Sequence, residues 1–147
     1  MQVDLRWIPW QRLERDDLYA LMVLRQRVFV VEQRCPYQDA DGLDPAAHHL
    51  LARRGDAVVA CLRAFPPDRD GEAVIGRVVT APEIRGTGFG RPLMREGMAR
   101  VREEWGPCPI RIGAQAHLAA FYGSLGFVVA GEGYDDDGIP HLPMRCG

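Results

Sequence analysis

Residues 78–91 run Val78-Val79-Thr80-Ala81-Pro82-Glu83-Ile84-Arg85-Gly86-Thr87-Gly88-Phe89-Gly90-Arg91, and the rest of the chain falls into place around them. They leave a β-branched run, Ile75 to Thr80, that reads as a strand. Pro82 ends it, because proline cannot donate to a sheet ladder. Arg85 and three glycines at alternate positions follow, and then Leu93, Met94, Met98, Val101 and Trp105 recur at helical spacing. A strand, a glycine-rich turn and a helix N-terminus in this order suit an anion. Glycine lets the backbone approach a ligand closely, and the first N–H groups of the helix point outward at its positive dipole end. Arg85 and Arg91 add forked donors suited to phosphate. The plainer alternative is a tight βα turn with a capped helix.

Two familiar anion loops are excluded. A dinucleotide fingerprint would need a third glycine where Arg91 stands, and a Walker loop needs a lysine, which the chain lacks altogether. The pattern that fits is R-x-x-G-x-G, as Arg85-Gly86-Thr87-Gly88-Phe89-Gly90. It resembles the pyrophosphate loop of the GNAT acyltransferases, which bind acetyl-coenzyme A.

With 147 residues, 47% hydrophobic and 26% charged, the chain is expected to form one domain over 1–147 with a proper core. A net charge of −2 gives no support for nucleic-acid or membrane-surface partners. All 18 positive residues are arginine, so no lysine side chain is available for self-acetylation. Cys35, Cys61, Cys108 and Cys146 are scattered without a C-x-x-C pair, and no metal is expected. The first ten residues lack the apolar core of a secretory leader, and no run approaches the ~20 apolar residues of a membrane span. A reducing cytoplasm with free thiols is the expected location.

Along the chain, Val3 to Ile8 suggests a first strand closed by Pro9, and Asp16 or Asp17 is placed to cap a helix with Leu18, Leu21, Met22, Val28 and Phe29 on its core face. That face continues through Val31 and breaks near Cys35-Pro36. Residues 38–45 form an acidic loop, which departs from a calcium loop because Leu50 stands where the twelfth-position glutamate belongs. A short helix somewhere in 31–47 has no assignable bounds. His48 to Arg53 and Ala57 to Phe65 read as a hairpin about Arg54-Gly55-Asp56, and Ala73 to Thr80 as the next strand. Gly106-Pro107 stops the second helix, Ile110 to Ala114 is a buried strand, and 115–124 is a short helix ended by Gly126. Strands at 127–130 and 141–145 flank a second acidic loop at 132–138. The order β-α-β-β-β-α-β-α-β-β implies an α/β (α+β) domain. Its mixed sheet would have about seven strands, with helices on both faces.

A second signature strengthens the first. Tyr122-Gly123-Ser124-Leu125-Gly126-Phe127 resembles the GNAT pattern of a tyrosine followed by x-x-Leu-Gly-Phe. Finer detail is similar to the ElaA-type branch of that family: Val28 to Gln33, Cys35 to Asp39, Gly113 to His117 and Asp137 to His141. The resemblance spans nearly the whole chain. It implies that strands 73–80 and 110–114 splay apart, that pantetheine lies between them against Val78, Val79 and Thr80, and that Arg85, Gly86, Thr87, Gly88, Phe89, Gly90 and Arg91 hold the pyrophosphate. Gln115 stands where many relatives carry asparagine and can still donate and accept a hydrogen bond.

The activity so implied is acetyl transfer from acetyl-coenzyme A to a primary amine by direct attack in a ternary complex. Tyr122 resembles the family's donor to the departing thiolate, and backbone N–H groups near Val79 and Thr80 are candidates for the oxyanion. Glu32, His117 and His141 are the candidate bases, histidine having an unperturbed pKa of about 6.5. Phe29, Glu32, Asp39 and Asp41 are the candidate acceptor-binding residues. The two acidic loops suggest a cationic amine, small molecule or peptide. Alternatives are a catalytically silent acyl-coenzyme A-binding regulatory module and a transferase for longer acyl groups. Whether the chain works as a monomer or a homodimer is left open.

Overall fold

The computed structural model describes residues 2–147. Strand β1 (Asp4–Pro9) leads through a single 3-10 turn to helix α1 (Arg15–Arg25), which runs on without a break into a π-helical segment, Gln26–Glu32. A hairpin, β2 (His48–Arg54) and β3 (Ala57–Phe65), is followed by β4 (Ala73–Thr80) and helix α2 (Gly90–Trp105). Then come β5 (Ile110–Gln115), the short helix α3 (Ala119–Gly123), and strands β6 (Val128–Val129), β7 (Tyr134–Asp136) and β8 (Ile139–Cys146). They form one sheet in the order β1-β2-β3-β4-β5-β8-β6, with β7 on β8. All pairs are antiparallel except β4 with β5.

The helices cover opposite faces. On β3, Cys61 and Arg63 point toward α1, where Arg25 shares its partner Asp44 with Arg63, whereas Leu62 points toward α2. There the Cα of Gly97 lies so close that a methyl group would come 2.8 Å from Leu62 Cδ2. Six consecutive residues of β3, Val59 to Ala64, are buried for this reason, since both faces of the strand are packed. α1 contributes Leu21 and Leu24 to the core, and α2 contributes Leu93, Met94, Met98 and Val101 at i, i+1, i+5 and i+8.

Three local details depart from expectation. The eighth strand is β7, in the segment read as a loop. Asp137 and Gly138 both adopt positive φ, 51° and 84°, which is the backbone of a two-residue hairpin turn and joins β7 to β8. The N-cap of α1 is Glu14, with no side-chain cap bond. Asp16 and Asp17 lie in the first turn, where their charge still meets the helix dipole, and Asp17 pairs with Arg53. The short helix of 31–47 is one 3-10 turn at Asp44–Ala46.

Two features shape the site. β4 and β5 pair only at Ala73–Ile110 and Val74–Arg111, and beyond that point they diverge. On its other side β4 carries a bulge. The register passes from Arg63–Gly76 to Cys61–Val79, which inserts one extra residue, and Arg77 within it has φ 49°. That backbone is uncommon for a residue with a Cβ and is held only where the surroundings impose it.

Candidate active site

The divergence of β4 and β5 opens a cleft of about 630 Å³. Val78, Val79 and Thr80 line one wall. Gln115, His117 and Tyr122 come from the far side, Phe29 and Glu32 from the π-helical segment, His141 from β8 and Arg85 from the turn before α2. The π-helical backbone accounts for the reach of Phe29 and Glu32: Gln33 and Cys35 donate to the carbonyls of Val28 and Val30, five residues back, and Arg34 ends the run at φ 53°.

The glycine-rich turn lies beside the cleft, and of its residues only Arg85 is a wall residue. Gly86 and Gly88 have φ of 83° and 79°, which explains their identity, and a Cβ at either would project into open space. Thr87 closes the turn by donating from Oγ1 to Ile84 O at 2.6 Å, and Arg91 lies over the Phe121 ring at 5.7 Å. Phe89 and Gly90 start α2, with Leu93 N donating to Phe89 O. An open backbone cradle, a helix N-terminus and an arginine are a donor set that fits a pyrophosphate.

Arg85 is occupied by protein groups. Its Nη1 donates to Glu32 Oε2 at 2.7 Å, Nη2 stands 2.7 Å from Glu32 Oε1, and Nη2 also donates to Thr80 O at 3.2 Å. The Arg85 hydrogen bond holds the Glu32 carboxyl below the usual carboxylate range, against the effect of burial. Beside this pair, the amides of Gln33 and Gln115 exchange hydrogen bonds of 3.4 and 3.3 Å. Glu32 and Gln33, adjacent at the end of the π-helical segment, thus reach across to both sides of the cleft.

Tyr122 is buried between Phe121 and Phe127, at ring centroid distances of 5.1 and 6.0 Å, both edge-on. Burial pushes its phenol up to about 12, so it is a neutral O–H donor at any ordinary pH. His117 is exposed on the rim. His141 is half-buried, with Nδ1 2.7 Å from the carbonyl oxygen of Ile139. A carbonyl can only accept, so Nδ1 carries the proton and Nε2 of the neutral ring keeps its lone pair.

The placement of Asp39 and Asp41 corrects the reading of the first acidic loop as a free negative surface. Neither lines the cleft. Asp39, Asp41 and Asp44 face Arg25, Arg63 and Arg77 in a largely buried array, charge against charge. Arg25 donates to Asp39 Oδ2 at 2.8 Å and to Asp44 Oδ1 at 2.7 Å. Arg63 donates to Asp41 Oδ2 at 2.7 Å and to Asp44 Oδ1 at 3.0 Å. Arg77 places Nε 2.9 Å from Asp39 Oδ1, in charge contact although the N–H is not aimed at the oxygen, and stacks its guanidinium 5.4 Å from the Tyr37 ring. The loop therefore clamps the residue at the centre of the β4 bulge. The Arg63 hydrogen bond drives the Asp41 carboxyl far below its usual value. Burial would raise Asp44, but Arg25 and Arg63 outweigh it and hold it low.

The second acidic segment does reach the cleft, through Asp136 and Asp137. Cys35 also lines it and donates from Sγ to Asp137 O at 3.2 Å. Burial and the neighbouring aspartates push its thiol up, which makes it a poor nucleophile. Gln33, Arg77 and Tyr134 line the cleft without having been singled out in the sequence. For Tyr134 a signal was present: Asp137-Gly138 is a hairpin dipeptide, and it puts Tyr134 opposite His141.

Comparison with known proteins agrees with this geometry. Residues 21–147 match the Acetyltransferase (GNAT) domain. The chain is 44% identical over 145 residues to Protein ElaA of Escherichia coli K12, covering 93% of this chain and 95% of that protein. The crystal structure of Escherichia coli ElaA superposes with a TM-score of 0.93 at 40% identity, over 99% of this chain and 100% of that one. An acyl-CoA N-acyltransferase from Pseudomonas aeruginosa superposes with a TM-score of 0.95 at 44% identity, with the same coverage. Among the described residues no helix is long and apolar enough to cross a membrane. With both signatures on one cleft and relatives of this identity along nearly its full length, the chain belongs to the GNAT acetyltransferase family and is an acyl-CoA-dependent acyltransferase.

Proposed function

We propose that this protein transfers the acetyl group of acetyl-coenzyme A to a primary amine that arrives as a cation, by direct attack in a ternary complex. The observation that carries the reading is a single cleft joining four things: the arginine of the glycine-rich turn, the free edge of β4, a buried phenol and a histidine with a fixed tautomer. Arg85 and the N–H groups of residues 86–91 hold the pyrophosphate, Val78 to Thr80 offer backbone to the pantetheine, and Gln115 lies along its path. Acetyl-coenzyme A supplies the activated thioester.

His141 takes the proton from the bound ammonium through Nε2, directly or through water. Glu32 is less suited to that step while Arg85 holds it, and among the described residues His117 has no orienting partner of the kind His141 has in Ile139. Tyr122 donates a hydrogen bond to the departing thiolate. A phenol near 12 does not give its proton up completely to a thiolate of ordinary basicity near 8.5, so its contribution is stabilisation of the developing charge. At the acceptor end, Asp136, Asp137 and the aromatic face of Phe29 favour a cation.

The test is a screen of polyamines, monoamines, amino acids and N-terminal peptides with acetyl-coenzyme A, scored by thiol release and product mass. Acetylation of a cationic primary amine is expected. Binding of acetyl-coenzyme A with no turnover across the panel would favour a silent regulatory module. Faster turnover with a longer acyl-coenzyme A would replace acetyl as the transferred group.

A further inference from the structure

Strands β5, β8 and β7 place Gln115, His141 and Tyr134 in one row, each directly opposite the next. The Tyr134 ring lies against the His141 ring, with centroids 5.6 Å apart and planes inclined by 24°. Its hydroxyl extends back over β8 to the bare Cα of Gly113 on β5. An alanine methyl at 113 would overlap that hydroxyl oxygen, while the next atom of the tyrosine, Cζ, would stand at an ordinary 3.8 Å. Gly113 has no positive φ to account for the absence of a side chain, so the seat for the tyrosine is what the glycine provides. His141 is thus fixed at two points, the carbonyl of Ile139 at Nδ1 and the face of Tyr134.

We propose that Tyr134, seated on Gly113, is a positioning residue that holds His141 with Nε2 bare and turned to the acceptor. This rests on the reading of His141 as the base. Without the tyrosine face the imidazole is free to rotate away from Ile139, and the Nε2–H tautomer, useless as a base, becomes populated. Other ionisable groups share the cleft: Asp136 and Asp137 from the hairpin, Cys35, Tyr37 and the Glu32–Arg85 pair across it, His117 and Tyr122 from the α3 side, and Arg63 and Arg77 from β3 and β4. All of them remain in the variants below.

The experiment is long-range 1H–15N correlation of the four histidines, with His141 assigned through His141→Gln, in the wild type and in Tyr134→Ala, Tyr134→Phe, Gly113→Ala and the double variant Gly113→Ala/Tyr134→Phe. The wild type, Tyr134→Phe and the double variant should show protonated Nδ1 and bare Nε2. Tyr134→Ala and Gly113→Ala should show a mixed ring. Turnover with the best amine of the screen should follow the same division, falling by up to about 10-fold in the two perturbed variants as the fraction of rings with bare Nε2 falls, with the KM for acetyl-coenzyme A within twofold. Recovery in the double variant separates this from a general packing defect, because it keeps the methyl and removes only the hydroxyl. An unchanged tautomer in Tyr134→Ala would overturn the positioning role, even if His141 is essential. Wild-type turnover in His141→Gln would instead remove the base reading on which the proposal stands.

Discussion

Replacing Arg25 by methionine probes the clamp on the β4 bulge. Arg25 is buried and makes four hydrogen bonds, to Asp39 Oδ2, Asp39 O, Asp44 Oδ1 and Asp44 Oδ2, at 2.8, 3.1, 2.7 and 3.3 Å. Breaking a buried ion pair from one side costs about 3–5 kcal/mol, because the partner is left charged and desolvated. Here each carboxylate keeps a second arginine, Arg77 for Asp39 and Arg63 for Asp44, so the lower end, about 3 kcal/mol, is expected. For a chain of this length that corresponds to a fall in Tm of roughly 6–12 °C. The pH dependence has a definite sign. Asp41 and Asp44 are depressed in the folded state, so their stabilising contribution is complete above the ordinary aspartate value near 3.9 and is lost as pH falls through their folded values. In Arg25→Met Asp44 keeps only Arg63 and takes up a proton more readily than in the wild type, so the gap between variant and wild type should be widest at pH 7.5 and narrow at pH 3, below the ordinary aspartate value. Urea unfolding followed by circular dichroism at both pH values measures it. A difference below about 1 kcal/mol at pH 7.5, or a gap that widens on acidification, would refute the reasoning.

Two further expectations concern ligand and chemistry. Arg85→Ala removes charge-assisted bonds worth about 1.5–3 kcal/mol and should weaken acetyl-coenzyme A binding by roughly 10–150-fold in calorimetry, and Gly88→Val should weaken it further by filling the open cradle; wild-type affinity in both would move the pyrophosphate elsewhere. Tyr122→Phe keeps the ring between Phe121 and Phe127 and removes only the hydroxyl, so single-turnover acetyl transfer should slow by about 10²–10³-fold at unchanged Tm, and an unaltered single-turnover rate would leave the phenol without a role in the transfer.

The sequence made the sheet and its organising turn legible because those residues obey local rules. Pro82, the alternate glycines and the helical spacing of Leu93 to Trp105 each have a single cheap structural solution. The acidic loop failed for the opposite reason. Asp39, Asp41 and Asp44 look the same on paper whether they face water or arginine, and their partners Arg63 and Arg77 lie 19 to 38 residues away across the sheet. The π-helical segment was invisible too, since its apolar residues continue the α-helical pattern while the backbone slips by one residue per turn. β7 was overlooked because Tyr134-Asp135-Asp136 is exposed and polar, and only the turn dipeptide after it marks a hairpin.

The arginine clamp also divides the cleft into parts that tolerate change unequally. Residues 39–44 are wired by their charges to α1, β3 and β4, so one altered aspartate disturbs two of these elements at once and, through the β4 bulge, the wall of the cleft. Beyond its own two strands the tip of the β7–β8 hairpin is held, among the described residues, by a single thiol contact, Cys35 Sγ to Asp137 O, and Asp136 and Asp137 hang from a turn that another sequence could form. New acceptor preferences are therefore more readily grafted at residues 135–138 than in the loop before β2. Natural variation in substrate choice among chains sharing this clamp is expected to concentrate at that tip.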